Sequence, residues 1–143
     1  MRPMTDSPLL AFHHVGVVTP DIDASAALYR VLGYATSATF HDPVQNAAIV
    51  LCSRPGEPLV ELIAPADPSS PAAGWLKRLR AGAYHTCYEV ADLPAAVARL
   101  RDLDFVALSE PVPAVAFEGR RVVFLWSDHM GLVELVEQAA PAP

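Results

Sequence analysis

The feature that most constrains the fold of this 143-residue chain is a correspondence between its two halves. Residues 59–62 read Leu-Val-Glu-Leu, and the same four residues recur at 132–135. His14 has a counterpart in His85, 71 positions further on, and Asp21 has one in Asp92 at the same spacing. A repeat of this kind indicates two copies of one supersecondary unit that stack on each other.

Each half has the same predicted order of elements. The apolar, β-branched stretch 12–18 predicts a strand, and Asp21 is placed to cap a helix that Gly33 ends. Further strands are predicted at 37–41, 47–52 and 59–63. The second half repeats this order, with a strand at 84–90, a helix at 93–103 capped by Asp92, and strands at 105–108, 121–126 and 132–136. Each half is therefore a β-α-β-β-β module.

The two modules are expected to form one α+β domain, because a module of about 55 residues is too small to bury its own sheet face. The domain is predicted to span 11–138, with repeats at 11–65 and 82–138. A proline-rich linker and a short helix at 66–81 join the repeats. Residues 1–10 and 139–143 are predicted to be tails.

Charge and cysteine content exclude several classes of protein. With 16 acidic and 10 basic residues, the net charge of −6 disfavours nucleic acid and anionic membranes as partners. Cys52 and Cys87 are too few for a disulfide framework and are predicted to be reduced and buried. No signal sequence opens the chain, and no apolar stretch reaches the ~18 residues of a membrane span. We therefore expect a cytoplasmic protein.

Four polar residues interrupt otherwise apolar strands: His14, Glu61, His85 and Glu134. Taken singly, each glutamate could face solvent and each histidine could be a satisfied core residue. A buried, unpaired carboxylate, however, costs several kcal/mol. If pseudo-twofold symmetry relates the halves, one cavity collects all four side chains. Two imidazoles and two carboxylates suit a divalent transition ion, and nickel, cobalt, zinc and manganese all remain open.

The paired modules, which open with His-Val-Gly-Val at 14–17 and close with Val-Glu-Leu at 133–135, resemble the vicinal-oxygen-chelate superfamily. This superfamily includes glyoxalase I, methylmalonyl-CoA epimerase, ring-cleaving dioxygenases and metal-free antibiotic-binding proteins. The resemblance extends from about residue 12 to residue 138. Segments 70–76, 82–90 and 131–135 are most similar to the epimerase branch. The resemblance implies a glyoxalase-like fold, in which both modules form one curved mixed sheet around a metal cavity.

The resemblance also implies site residues. His14, Glu61, His85 and Glu134 would hold one divalent ion (cobalt, nickel, zinc, manganese or iron), which would bind a carbonyl or enolate oxygen and ease removal of a neighbouring proton. The epimerase branch carries a glutamate base on the third strand of the first half. This chain reads Asn-Ala-Ala-Ile-Val-Leu there, at 46–51, without a carboxylate. Glu134 or Glu61 is therefore expected to move the proton, as a metal-bound glutamate does in glyoxalases.

Five residues are candidates for contact with a substrate. Gln45 is placed to meet a substrate oxygen at the cavity mouth, with a catalytic role, or else is an exposed turn residue. Arg120 and Arg121 are placed to pair with an anionic substrate group, since guanidinium makes bidentate contacts, or else belong to a solvated hairpin. Tyr88 and Trp126 either line a pocket or fill the core.

The resemblance predicts a metal-dependent isomerase or epimerase that acts on a small carbonyl compound or on a thioester of CoA or a carrier protein, as a homodimer. Three alternatives stay open at this point. They are a glyoxalase I-like lyase, a metal-free ligand-binding protein of the bleomycin-resistance kind, and an extradiol-type dioxygenase with iron held by two histidines and one carboxylate. A role in secondary metabolism fits the alanine-rich, lysine-poor composition.

Overall fold

The computed structural model describes residues 7–140. Residues 1–6 and 141–143, which belong to the predicted tails, lie outside this range. The first strand begins at Leu9, two residues before the predicted start of the domain. Within residues 7–140, no helix combines the length and the apolar character that a membrane crossing requires.

Both halves contain a long strand, a helix and a series of further strands, as predicted. The first half consists of β1 (Leu9–Val18), α1 (Ile22–Val31), β2 (Ala35–Thr36), β3 (Phe40–Asp42), β4 (Ala47–Ser53) and β5 (Leu59–Pro65). A helix, α2 (Pro71–Leu79), connects the halves. The second half consists of β6 (Gly82–Val90), α3 (Leu93–Arg101), β7 (Val106–Ala107), β8 (Val112–Pro113), a 3-10 helix (Val115–Phe117), β9 (Arg121–Ser127) and β10 (Gly131–Glu137).

The helices α1 and α3, one in each half, begin at matching caps. The Asp21 carboxylate accepts a hydrogen bond from Ala24 N at 3.0 Å, and the Asp92 carboxylate accepts one from Ala95 N at 3.0 Å. Both caps satisfy backbone N–H groups that have no partner inside the helix. Gly33 follows α1 with a φ of +94°, a conformation that glycine adopts without strain. The predicted caps and the predicted helix end are confirmed.

The predicted strand at 37–41 is only partly correct, because β2 ends at Thr36 and β3 begins at Phe40, so residues 37–39 lie between two shorter strands. Ser37 causes the interruption. Its backbone N–H donates to Leu51 O, but its side-chain hydroxyl, rather than a backbone carbonyl, accepts from Leu51 N. A side chain that bonds the neighbouring backbone replaces a ladder hydrogen bond in this way. The strand β8 and the 3-10 helix were not predicted.

All ten strands form one sheet in the order β2-β4-β5-β1-β6-β10-β9-β7, with β3 also paired to β4 and β8 to β9. The halves meet at the centre, where β1 and β6 are antiparallel. On either side of this pair, β5 runs parallel to β1 and β10 runs parallel to β6. The predicted α+β class and curved mixed sheet are confirmed.

The helices α1 and α3 cover one face of the sheet. Ala26 of α1 packs on Val50 and Leu62, and Leu93 of α3 packs on Leu125. The other face, here called the inner face, is covered by α2 and the 3-10 helix. The 3-10 helix belongs to the second half but contacts β3 and β4 of the first. The outer strands of the first half (β2, β3 and β4) and of the second half (β7, β8 and β9) are here called the two wings of the sheet. This contact joins the wings across the inner face.

Three register shifts interrupt the central pair of strands, and two of them lie beside the histidines of the cluster. Phe12 pairs with Tyr88 and His14 with Cys87, so His13 has no partner between them. On β6, His85 pairs with Gly16 and Ala83 pairs with Val17, so Tyr84 has no partner between them. His13 and Tyr84 are 71 positions apart, and each immediately precedes one of the two histidines singled out above. Bulges next to functional sites commonly redirect a side chain.

Candidate metal centre

Four adjacent strands at the middle of the sheet each contribute one polar side chain to the inner face. Glu61 lies on β5, His14 on β1, His85 on β6 and Glu134 on β10, which is also their order across the sheet. Gly16 of β1 pairs with both Glu61 and His85. The structure therefore brings together the four residues that the sequence singled out.

Their polar atoms converge on one point. His14 Nε2 lies 3.3 Å from Glu61 Oε1, 2.9 Å from Glu134 Oε1 and 3.2 Å from His85 Nε2. His85 Nε2 lies 3.6 Å from Glu61 Oε1 and 3.2 Å from Glu134 Oε1. Ligands bound at about 2.0–2.2 Å from one ion lie roughly 3.0–3.5 Å apart, so this spacing is that of a coordination shell.

All four side chains are buried, and none of the four residues is more than 4% exposed. Within residues 7–140, Glu61 Oε1, His85 Nδ1 and both Glu134 oxygens make no well-aligned hydrogen bond. Buried polar atoms without partners are rare in folded proteins, because each costs about 1–3 kcal/mol. A cation at the convergence point would satisfy the three carboxylate oxygens at once. The donor set therefore fits a divalent metal ion.

The carboxylates and imidazoles perturb each other strongly. Burial alone lowers the pKa of His14, but contacts with Glu134 and Glu61 outweigh burial and raise it to about 9. The pKa of His85 is raised by the same contacts, again against the effect of burial. Burial raises the pKa of Glu134, yet the two histidines bring it down to about 2. Burial likewise raises the pKa of Glu61, and contacts with His14 and His85 lower it overall. Without an ion, these contacts favour protonated imidazoles and ionised carboxylates.

His13 and Phe117 hold the His14 ring in place. The His13 Nδ1 atom lies 2.8 Å from His14 Nδ1, so one proton is shared between the two rings. Phe117 of the 3-10 helix stacks on the His14 ring at 5.2 Å between centroids. Because His14 Nδ1 is engaged with His13, its Nε2 is directed to the cluster. Such outer contacts fix the tautomer and orientation of a metal-binding histidine.

Gly16 makes room for the His85 ring. A Cβ atom built on Gly16 would lie 2.0 Å from His85 Cε1 and 2.3 Å from its Nδ1, far inside van der Waals contact. The glycine has no positive φ, so its role is steric rather than conformational. The position matched to Gly16 in the second half is Cys87, which is fully buried and not disulfide-bonded. The predicted burial of both cysteines is confirmed.

A cavity of about 470 Å³ lies beside the cluster. Tyr84 and Phe124 line this cavity, and their rings also contact the His85 ring at centroid distances of 4.5 and 5.1 Å. Trp75 of α2 also lines the cavity, and its ring lies 5.9 Å from the Tyr84 ring and stacks on Trp126 at 6.3 Å between centroids. The cavity is mostly apolar, as expected of a small-molecule site, and it meets the cluster through the rings of Tyr84 and Phe124 rather than through the four cluster residues themselves.

The structure brings two of the five predicted substrate contacts to this cavity. Gln45 and Trp126 both line it. The Gln45 amide donates to Asp42 Oδ2 at 3.4 Å, and Trp126 Nε1 donates to Asp128 Oδ1 at 3.0 Å. Tyr88 instead lies under α3, against Leu93, and contacts Phe12 at 5.3 Å between ring centroids.

Arg120 and Arg121 are not among the residues that line the cavity. The Arg120 guanidinium donates to a Glu89 carboxylate oxygen and, at 2.8 Å, to Glu137 O. Arg121 Nε donates to Glu137 Oε2 at 3.0 Å. Both arginines are thus held by ion pairs at the ends of β6 and β10.

Reasoning from the sequence missed several residues that line the cavity, among them Asp42, Trp75, Tyr84 and Phe124. Strict alternation along β6 would place Tyr84 on the face opposite His85, but the bulge brings it to the cavity. The shift of 71 that pairs His14 with His85 also pairs His13 with Tyr84, and this was the available signal. Asp42 could have been noticed as a carboxylate at a strand end, directly before Pro43.

Comparisons with known proteins agree with this geometry. The sequence pattern of the Glyoxalase/Bleomycin resistance protein/Dioxygenase superfamily matches residues 13–124. The chain is 34% identical over 129 residues to an ethylmalonyl-CoA/methylmalonyl-CoA epimerase from Cereibacter sphaeroides, covering 88% of this chain and 96% of that protein. It is 36% identical over 131 residues to the human mitochondrial methylmalonyl-CoA epimerase, covering 89% of this chain and 73% of that protein.

A crystal structure of methylmalonyl-CoA epimerase from Mycobacterium tuberculosis superimposes on this chain with a TM-score of 0.85. The two sequences are 28% identical, and the superposition covers 98% of this chain and 94% of the other. The likeness therefore includes both halves, the helix that connects them and the four central strands that carry the polar cluster.

Proposed function

This chain belongs to the glyoxalase/bleomycin resistance protein/dioxygenase superfamily, and on that premise we propose that it is a metal-dependent epimerase of a small acyl thioester. The substrate class follows the named relatives, which are epimerases of ethylmalonyl-CoA and methylmalonyl-CoA. The reaction is removal and return of the proton on the carbon next to the thioester carbonyl.

The observation that carries this proposal is the four-residue cluster beside an apolar cavity. His14, Glu61, His85 and Glu134 would hold one divalent ion, and their unsatisfied buried atoms support this assignment. A bound divalent ion supplies positive charge that lowers the cost of ionising a C–H bond next to a carbonyl. A ligand set of two imidazole nitrogens and two carboxylate oxygens does not select one metal among cobalt, nickel, zinc, manganese and iron.

The residues around the cavity would prepare the substrate for this chemistry. The aromatic walls formed by Trp75, Trp126 and Phe124 exclude water from the reacting carbon. Electrostatic contacts are stronger in such a site than in water. The Gln45 amide faces the same cavity and is placed to donate to a substrate oxygen. Glu134 or Glu61 would take up the proton, because each carboxylate is ionised and lies at the cluster.

Three wider features belong to the same proposal. The matched caps, bulges and strand pairings of the two halves support an origin by duplication and fusion of one module. A homodimer in the cytoplasm is the expected state. A CoA thioester fits the named relatives, and a carrier-protein thioester would present the same acyl group.

Two measurements test the proposal. Purified protein should contain about one divalent ion per chain by elemental analysis. In D₂O it should exchange the proton on carbon 2 of methylmalonyl-CoA, followed by mass spectrometry. His85→Ala should lose both the ion and the exchange, whereas His129→Ala, which changes an exposed histidine, should keep both.

The alternatives predict different results in the same assays. Exchange on the methylglyoxal–glutathione adduct but not on methylmalonyl-CoA would indicate a glyoxalase-like lyase. Tight binding of a ligand with no turnover and no metal would indicate a binding protein. Oxygen consumption with a catechol and iron would indicate a dioxygenase. Exchange on neither compound, in protein that carries its full metal content, contradicts the proposed function.

A further inference from the structure

We propose that Asp42 is the second proton-transferring group of the reaction, acting on the face of the substrate carbon opposite to the metal-binding glutamates. This inference rests on the proposed function and deepens it. Inversion at a carbon requires that a proton leaves one face and that another proton reaches the opposite face. The two glutamates of the cluster converge on one point, with their ligand atoms within 4.8 Å of each other, and we assign both to the same face of the carbon. The second transfer then needs a group on the other face.

Asp42 is the only acidic residue among those that line the cavity in the described range, 7–140. It ends β3 and pairs with Ala47 of β4. Its side chain is buried, with 3% of the residue exposed. Ala47 packs with Ile49 and Ile63 on the inner face, and residues that pair directly across a ladder share a face. Asp42 therefore lies on the inner face, as the cluster does.

The two Asp42 oxygens have different surroundings. Oδ1 accepts hydrogen bonds from Val44 N at 2.9 Å and from Gln45 N at 3.1 Å. These bonds close the turn between β3 and β4 and fix the orientation of the carboxyl group. Oδ2 has one contact within residues 7–140, from Gln45 Nε2 at 3.4 Å, which is long for a hydrogen bond. Oδ2 therefore retains lone pairs for a proton.

The carboxylates belong to different parts of the sheet. Glu61 and Glu134 lie on the central strands, and their cluster meets the cavity through the rings of Tyr84 and Phe124, which contact His85. Asp42 belongs to the wing of the first half, since β3 pairs with β4 and β4 with β5. A substrate carbon held between wing and centre would have Asp42 on one side and the glutamates on the other. This is the arrangement that a two-group inversion requires.

The proposed step balances as follows. The C–H bond at carbon 2 breaks, its proton bonds to the carboxylate of Glu134 or Glu61, and its electron pair moves into the thioester carbonyl to give an enolate. Asp42, in its protonated form, gives its proton to the opposite face of carbon 2, and the enolate electron pair forms the new C–H bond. The enzyme is left with Asp42 ionised and the glutamate protonated. The reverse reaction starts from this state, and proton exchange with water restores the first.

Asp42→Asn separates catalysis from structure. The asparagine side-chain oxygen still accepts from Val44 N and Gln45 N, so the turn remains, but the amide cannot carry the proton. In D₂O, metal-loaded Asp42→Asn should exchange carbon 2 of one methylmalonyl-CoA epimer, with retention of configuration. Exchange of the other epimer should fall by about 100-fold or more, and inversion should be lost. Melting temperature and metal content should match the wild type.

Asp92→Asn is the matched control, because Asp92 also accepts a backbone N–H through its carboxylate but caps α3 and is not among the residues that line the cavity. It should leave exchange of both epimers unchanged. If exchange of both epimers falls equally in Asp42→Asn, or if neither falls, Asp42 does not transfer a proton and the inference is overturned.

A second variant gives an independent test, read in folded, metal-loaded protein. Asp42→Ala opens space for a small carboxylate, and added formate should restore inversion in this variant but not in His85→Ala. Failure of formate to restore inversion overturns the inference. If the metal-loaded wild type exchanges neither epimer, the proposed function is wrong, and so is the role of Asp42. If the wild type exchanges both epimers and only the Asp42 variants behave otherwise than expected, the role of Asp42 alone is wrong.

Discussion

Replacement of Gly16 by alanine tests how closely the cluster depends on its steric surroundings. Gly16 lies between Glu61 and His85 in the strand pairing, and the His85 ring covers its Cα. The added methyl group would lie 2.0 Å from His85 Cε1, whereas ordinary contacts are 3.4–4 Å. The ring would have to move by about 1.4 Å to restore contact distance.

The neighbouring rings leave little room for that movement. Tyr84, Phe124 and His14 surround the His85 ring at centroid distances of 4.5, 5.1 and 5.3 Å. Overpacking of this kind costs about 1–3 kcal/mol of stability. Displacement of a site group by about 1 Å costs roughly 100-fold in rate. We therefore expect Gly16→Ala to lower the free energy of unfolding within this range and to weaken metal binding by at least about tenfold.

The assay is competition for the ion between the protein and a coloured chelator, with chemical denaturation of the metal-free protein beside it. Gly74→Ala is the matched control, because a Cβ at Gly74 meets no atom within 4 Å and the residue lies inside α2. There alanine should stabilise the helix by about 0.5–1 kcal/mol. If Gly16→Ala binds metal as tightly as the wild type, His85 is not a ligand held in the described position.

Three further predictions concern the surroundings of His14. In metal-free protein the pKa of His14 is raised from 6.5 to about 9. The stabilisation that protonated His14 gives is therefore complete below pH 6.5 and disappears as the pH rises through 9. The melting temperature should fall over that interval, and a flat profile would contradict the ion pairing. His13→Phe removes the partner of His14 Nδ1 and should weaken metal binding by about 10–100-fold in the chelator assay. Unchanged affinity would show that His13 does not orient the His14 ring. Phe117→Ala should lower the free energy of unfolding by about 3–5 kcal/mol in denaturant titrations. Val115→Ala, at an exposed position of the same 3-10 helix, should change it by no more than about 0.5 kcal/mol. Equal effects would show that the stacked ring is not part of the core.

The cluster itself was predictable because its signal is local and occurs twice. A histidine or glutamate inside an apolar strand is unusual, and recurrence at a fixed shift marks His14, Glu61, His85 and Glu134 together. The helix caps were predictable for a related reason, since Asp21 and Asp92 act on backbone groups only three residues away. Interactions over such short separations depend on chain order more than on the rest of the fold.

The roles of Arg120 and Arg121 could not be read in this way. Tyr88 could have been placed, because it lies three residues after His85 on β6, and alternation puts it on the opposite face of the sheet, under α3. The arginines have partners on other strands, Glu89 on β6 and Glu137 on β10. A charged side chain near a candidate site is equally consistent with an anionic substrate and with an ion pair until the pairing of strands is known.

The sequence by itself determined the two modules, their order of elements and the four residues of the cluster, because periodicity, capping and repetition act over short separations along the chain. Only the tertiary structure decided which other residues share the cavity. The bulge at Tyr84 reverses the face that alternation assigns to it, and the pairing of β3 with β4 brings Asp42 to the inner face. Register is fixed by contacts between distant segments, and a shift of one residue moves a side chain to the opposite face of the sheet.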